Sequence, residues 1–353
     1  MLLLDNIIFS LQKNGGISVY WAELIKKLQN EKIPFTYLDG SKEKEQNISL
    51  KNINLDPKFK LNSIRIFLFI KRYLPIYNSI IKNGVIFHSS YYRTINKRLK
   101  NKKGIKEVVT VHDFTYEKFS KGFKKTVHVY QKKKSIKSAD LIICISKNTR
   151  NDLVNLYPEF INKDIRVVYN GVSPDYFKIK QSNFTFENYF LYVGSRAEYK
   201  NFDFVVYSVK KIENFKLIIV GNILTKSEIE FLNTNLLNQW EYKSNVTNSD
   251  LNRLYNNAFA LFYPSSYEGF GIPVVEAMRS GCPFIALNTS SIPEIVPEVD
   301  FLMNDLNFNE FEKVFKLIKE KRQLVIEMGL VKSNDFSWEK CFSEVIKIYR
   351  ELN

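Results

Sequence analysis

Short, nearly continuous apolar runs alternate along this chain with longer segments whose apolar positions recur every three or four residues. The short runs are Leu2 to Ser10, Val85 to Phe87, Glu107 to Val111, Leu141 to Ile145, Tyr189 to Val193, Leu217 to Val220 and Ala260 to Tyr263. Runs of this kind, bounded by polar residues, suit strands buried on both faces. Between them, Val19, Leu24, Ile25 and Leu28 keep a helical period. Asn248 to Ala258 reads as a capped helix, and Phe336 to Glu339 opens a terminal helix running to Leu352. Alternating strand and helix predict an α/β protein with parallel sheets. The carboxyl ends of parallel strands line the ligand crevice, so the polar tips His88-Ser89-Ser90, His112-Asp113 and Ser146 are expected along one edge.

Chemistry concentrates between Tyr263 and Ala286, which reads as strand, loop, helix, strand. The strand stops at Pro264, and Ser265 to Gly271 is a polar, glycine-containing loop. Pro273, just past Gly271, suits a helix start, where its missing amide costs nothing; Gly281 suits the end. The free amides of Ile272 to Glu276 and the helix dipole then make an anion site, most naturally for phosphate. Glu268 and Glu276 would repel a phosphate directly, but as pure acceptors they suit hydroxyls on either side of it. A diphosphate between a ribose and a hexose is a nucleotide sugar. On residue types alone, an ordinary helix with a dipole-stabilising acid in its first turn accounts for the stretch equally well.

Other candidates are weaker alone. Asn14-Gly15-Gly16 follows the first strand as a phosphate-approach turn would, although any βα turn uses glycines. His112 beside Asp113 is either a general base or a structurally satisfied histidine, and His88 poses the same choice. His128 lies in a lysine-rich helix and is expected to be exposed.

Glu268, Gly269, Phe270, Gly271, Pro273 and Glu276 resemble, in order and spacing, the donor-site motif of the family-4 retaining glycosyltransferases of the GT-B fold. The resemblance implies that Glu268 lies near the transferred sugar and that Glu276 holds the nucleotide ribose. Gly269, Phe270, Gly271 and Ile272 complete that substrate-binding loop. Gly15-Gly16-Ile17-Ser18 is similar to the family's first loop, which faces the diphosphate across the interdomain cleft. His112-Asp113 resembles the His-Asp placed near donor sugar and acceptor. Gly194 to Asn201 resembles the junction supplying an Arg and a Lys to the diphosphate, a role that falls to Lys200. The family's Arg directly precedes its Lys; Tyr199 stands there in this chain, and Arg196 is the nearest substitute. Asn288 to Glu294 is similar to a loop near the donor.

At 353 residues the chain suits two domains. Val167 to Asp175 is turn-rich and resembles the family's connector. The resemblance therefore implies two doubly wound Rossmann-like domains facing an interdomain cleft: an acceptor-side domain over 1–176, a nucleotide-sugar domain over 177–335, and a helix over 336–353 crossing back to the first.

Charge changes the picture of the first domain alone. Residues 1–176 carry 32 Lys and Arg against 15 Asp and Glu, whereas the remainder carries 20 against 22. Two basic amphipathic segments, Lys58 to Lys82 and Lys118 to Lys137, mix lysines with Phe, Tyr, Ile and Val. They read either as solvated surfaces or as attachments to anionic lipid headgroups. No nucleic-acid module accompanies the charge, so nucleic acid is not an expected partner. The three cysteines have no metal-binding spacing, no apolar run is long enough to span a bilayer, and no leader is expected. The chain therefore reads as cytoplasmic, or peripheral on the inner face of the membrane.

The resemblance implies transfer of a hexose, with mannose one candidate, from a GDP- or UDP-linked sugar to a hydroxyl of a glycan or lipid-linked acceptor. The anomeric configuration would be retained, in cell-surface polysaccharide or lipopolysaccharide biosynthesis, with no metal and no cofactor beyond the nucleotide-sugar co-substrate. The alternatives are a sugar-nucleotide epimerase of similar fold and a membrane-associated binding protein with a vestigial site.

Overall fold

The computed structural model describes residues 1–13, 15–38, 47–51, 53–55, 60–61, 72–77, 81–180 and 187–353. Asn14 and most of the basic segment Lys58 to Lys82 lie outside them. The chain divides into one unit formed by residues 1–171 and 338–353 and another formed by 172–337.

In the first unit the strands are β1 (Leu2–Asp5), β2 (Phe35–Leu38), β3 (Lys60–Leu61), β4 (Ile86–Ser89), β5 (Lys106–Val111), β6 (Leu141–Cys144) and β7 (Asp164–Val167). They pair in parallel in the order β3-β2-β1-β4-β5-β6-β7. Helices α1 (Gly16–Asn30), α2 (Thr115–Phe119) and α3 (Gly122–Ser138) belong to the same unit. The second unit holds β8 (Tyr189–Val193), β9 (Lys216–Val220), β10 (Trp240–Lys243), β11 (Ala260–Tyr263) and β12 (Phe284–Ala286), parallel in the order β10-β9-β8-β11-β12. Its helices include α4 (Ile272–Arg279) and α5 (Phe308–Ser333). The last helix, α6 (Trp338–Glu351), packs in the first unit: its Phe342, Val345, Ile346 and Tyr349 share a buried core with Tyr20, Trp21 and Leu24 of α1.

Two strands differ from the sequence reading. Leu2 to Ser10 is a strand only as far as Asp5, and Ile8–Leu11 forms one helical turn. Two polar residues end the strand: Asp5, in a buried ion pair with Arg93 at 2.9 Å, and Asn6, whose carbonyl accepts from the Phe9 amide at 3.2 Å. The run predicted over Val85 to Phe87 continues to Ser89, so His88 is a strand residue, registered on Leu4 and Val108.

The second core is aromatic. Phe190, Phe215, Phe259, Phe262, Phe311 and Phe315 are buried, with Phe190 stacked on Phe215 at 5.0 Å and Phe262 on Phe311 at 5.0 Å. Each such side chain contributes about 1.5–3 kcal/mol on leaving water. This packing holds β8 and β11 side by side, and their neighbourhood matters because each sheet reverses its winding once. The reversal falls between β1 and β4 in the first sheet and between β8 and β11 in the second. Beyond the carboxyl ends of strands flanking a reversal, the loops diverge and leave room for a ligand. Among the described residues, no helix is long and apolar enough to cross a membrane.

Candidate active site

The winding reversal of the second unit is flanked by two loops, Gly194 to Asn201 after β8 and Pro264 to Gly271 after β11. Backbone and side-chain hydrogen bonds latch them together. The Ser266 amide donates to the Tyr199 carbonyl at 2.8 Å, and the Asn201 amide group donates to the Pro264 carbonyl at 2.7 Å and to Ser266 Oγ at 2.8 Å. Lys200 Nζ is consequently brought onto the Glu268 carboxylate as an ion pair, and it also donates to the Tyr263 hydroxyl at 3.0 Å. The backbone of Glu268 is fixed separately. Its amide donates to Ser290 Oγ at 3.1 Å, and its carbonyl accepts from the Ser290 and Ser291 hydroxyls at 2.6 and 3.0 Å.

Beyond Glu268 and Gly269, Phe270 is buried edge-on to Phe336. Gly271 takes φ +96°, and a Cβ there would lie 2.7 Å from Ile292 Cδ1 and 2.9 Å from Ile295 Cδ1. Only glycine meets both demands. Ile272 then opens α4, whose first turn contains Pro273 and has no side-chain cap; the Val274 amide turns back onto the Gly271 carbonyl at 3.0 Å, which leaves the Ile272 and Val275 amides as the donors the helix start offers. Gly281 follows the helix at φ +70°.

One turn further along, Glu276 Oε2 accepts from the Tyr255 hydroxyl at 3.0 Å, while the Tyr176 hydroxyl, its ring edge-on to Tyr255, donates to Asn248 Oδ1 at 3.4 Å. Desolvation pushes the Glu276 carboxyl up to about 7, although the Tyr255 hydrogen bond pulls the other way.

Arg196 faces a different partner from Lys200. Its Nε donates to Glu228 Oε1 at 2.5 Å, and Nη2 reaches Glu228 Oε2 at 3.3 Å and the Ile223 carbonyl at 3.0 Å. That fork holds the Glu228 carboxyl down at about 2. The remaining nitrogen, Nη1, is buried without a hydrogen-bond partner. It lies near the close approach of β8 and β9, where a Cβ on Gly221 would sit 2.2 Å from the Gly194 carbonyl oxygen.

In the first unit, Gly15 precedes α1 and its carbonyl accepts from Ser18 Oγ at 2.8 Å; Gly16 is exposed at the helix start. His112 follows β5, buried edge-on to Tyr20 with ring centroids 5.1 Å apart. Burial lowers its pKa to about 4, so its imidazole is neutral at physiological pH. Asp113 Oδ1 accepts from the Thr115 amide at 2.9 Å.

The other two histidines are interior. His88 joins β5 to α6: its Nε2 lies 2.9 Å from Thr110 Oγ1 and its Nδ1 2.5 Å from the Tyr349 hydroxyl. His128, expected to be exposed, is buried, stacked 3.8 Å from the Tyr116 ring and bonded at 2.9 Å to the Tyr91 hydroxyl. Lys132, counted among the surface lysines of that segment, is also buried, against Glu117. Motif reasoning missed Tyr255 and Glu228, which hold Glu276 and Arg196; only side-chain contacts reveal them. Among the described residues, no group of three or more His, Cys, Asp or Glu side chains is arranged to hold a metal ion.

Comparison with known proteins bears on the family and the fold. The family described as "Glycosyltransferase Family 4" matches residues 14–176, and "Glycosyl transferases group 1" matches residues 174–328. An uncharacterized glycosyltransferase of Methanocaldococcus jannaschii is 30% identical over 350 residues, 96% of this chain and 95% of that protein. O-antigen chain mannosyltransferase B of Escherichia coli is 27% identical over 238 residues, 62% of each chain. The crystal structure of Anabaena HepE in complex with UDP-glucose superimposes with a TM-score of 0.67 at 13% identity, covering 99% of both chains. Two Rossmann-like units of parallel sheet make this the GT-B fold, and the chain belongs to the family-4, group 1 glycosyltransferases.

Proposed function

We propose that this glycosyltransferase moves a hexose from a nucleotide diphosphate sugar to an acceptor hydroxyl with retention of configuration. The observation that carries the reading is the Lys200–Glu268 pair at the winding reversal of the second unit, beside the uncapped start of α4. The UDP-glucose bound by Anabaena HepE and the mannosyltransferase relative of E. coli support the substrate class.

In this reading the α4 amides and Lys200 meet the charge that develops on the departing diphosphate, with Arg196 Nη1 available to assist. Glu268, held by Lys200 and two serines, accepts from hydroxyls of the reacting sugar. Glu276 exchanges its Tyr255 donor for the ribose hydroxyls. The bond from the anomeric carbon to the diphosphate breaks as the acceptor oxygen bonds to the same face, and the leaving phosphate takes the acceptor proton. Nothing in this scheme calls on a metal. His112 and Asp113 are assigned to sugar hydroxyls, His112 as a neutral imidazole.

We further place the enzyme at an anionic membrane surface, acting on a glycan or lipid-linked acceptor of cell-surface polysaccharide. Supporting this, one face of α3 turns Phe123, Thr126, Tyr130, Lys133 and Lys137 to solvent, with Phe123 83% and Tyr130 68% exposed. Aromatic rings among lysines suit a headgroup layer.

The test is incubation with GDP-mannose, UDP-glucose and UDP-N-acetylglucosamine, with and without simple glycoside acceptors, reading nucleotide release and the donor itself. Acceptor-dependent release of nucleoside diphosphate supports the reading. An isomerised donor would instead identify an epimerase, and an unaltered panel would remove the proposed donors.

A further inference from the structure

Lys132 is the most deeply buried cation among the described residues, its side chain 1% exposed on the inner face of α3. An ammonium group enters such a site only with its donors satisfied. Here Nζ donates to Glu117 Oε2 at 2.8 Å and to the Asp113 carbonyl at 2.8 Å, with the Phe114 ring centroid 4.6 Å away. Glu117 is held in turn by the Tyr157 hydroxyl at 3.3 Å. On the other side of the turn, the Tyr92 hydroxyl bonds the His112 backbone.

The two bonds of Lys132 have different uses. The first neutralises a buried carboxylate on α2. The second ends on the main chain of Asp113, directly after β5, where the chain leaves the sheet and His112 sits. A main-chain carbonyl needs no cation for its own sake; a bond from a backbone N–H or a water would serve it as well.

Building on the assignment of His112 and Asp113 to the sugar, we propose that Lys132 is a positioning residue. Its ammonium ties the Asp113 carbonyl to α3 and thereby fixes the His112–Asp113 turn. Losing it lets the turn relax while the fold and the donor-binding loops of the second unit persist. The consequence falls on kcat and not on donor KM.

The test separates this role from simple neutralisation of Glu117. Lys132→Met together with Glu117→Gln removes both charges and keeps the packing. Nucleotide release is followed with the best wild-type donor among GDP-mannose, UDP-glucose and UDP-N-acetylglucosamine. The double variant is expected to melt within a few degrees of wild type, keep donor KM within about twofold and lose at least tenfold in kcat. Recovery of wild-type kcat would overturn the proposal. In a His112→Ala background the same two changes should lower kcat by less than twofold, because the turn they support has lost its imidazole; a further tenfold loss there also overturns it. Wild-type kcat for His112→Ala alone would instead sink the assignment of His112 on which the proposal rests. Should the double variant not fold, Glu117→Gln alone decides, since it keeps the ammonium on the Asp113 carbonyl. Its kcat should lie within twofold of wild type, and a tenfold loss would show that the ion pair carries the effect.

Discussion

Replacing Glu276 by Gln isolates a charge that the fold holds at a disadvantage. Burial raises this carboxyl from an ordinary 4.5 to about 7, so the folded chain binds the proton more tightly than the unfolded chain does. The sign follows. The stabilisation is fully present below about pH 4.5, declines as pH rises through 7, and is absent above. At about 1.36 kcal/mol per pKa unit the whole difference is roughly 3 kcal/mol, of which about 2 kcal/mol or more falls between pH 5 and pH 8. Glutamine keeps an acceptor for the Tyr255 hydroxyl and never ionises. A change of 1 kcal/mol moves the melting temperature of a domain this size by about 2–4 °C, so the advantage of Glu276→Gln should grow by about 5–10 °C across that range. Paired thermal melts of both proteins at pH 5 and pH 8 measure this directly, because ionisations common to both cancel. If the same charge meets the ribose, GDP or UDP affinity should rise more steeply with pH in the wild type than in the variant, whose remaining dependence comes from the terminal phosphate of the nucleotide; the charged contact is worth ~1.5–3 kcal/mol. A melting difference that does not change with pH would show that Glu276 is not held protonated by burial.

Arg196 and the outer face of α3 give two further tests. Arg196→Ala alone should destabilise the second unit by stranding Glu228; adding Glu228→Gln should recover the melting temperature but not turnover if Nη1 serves the diphosphate, and full recovery of turnover would make the arginine purely structural. Phe123→Ser with Tyr130→Ser, Lys133→Gln and Lys137→Gln should weaken sedimentation with vesicles containing anionic lipid while sparing activity on a soluble acceptor. Each lysine contributes about 1 kcal/mol there, and 1 M salt, with a screening length of about 3 Å, should remove that part. Equal sedimentation with neutral and anionic vesicles would contradict the membrane assignment.

The sheets were legible because parallel strands buried on both faces write themselves as short apolar runs, as at Leu217 to Val220. The Glu268 to Glu276 stretch was legible because its geometry is local: a glycine at positive φ, a proline after it, and a helix start. What joins Lys200 to Glu268 is not local. It depends on β8 and β11 being neighbours at a winding reversal, and no spacing along the chain states that. The end of β1 was misread because Ile7, Ile8 and Phe9 are as apolar as a strand, while the turn is set by Asp5 and Asn6. The inner face of α3 was misread for the opposite reason. His128, Gln131, Lys132, Ser135, Ile136 and Ala139 are buried at helical spacing, but mostly with polar side chains, so a hydrophobic pattern places that face outside. A fully paired lysine leaves no signature in composition.

The proposed function stands on Lys200 of the second unit stabilising a leaving nucleoside diphosphate. Single-turnover transfer by Lys200→Met, at saturating donor and acceptor, isolates that contribution. Removing one preorganised donor to a developing charge costs about 10²–10³ in rate, so a loss of that size is expected in a variant that still folds and binds nucleotide. A single-turnover rate equal to that of the wild type would contradict it.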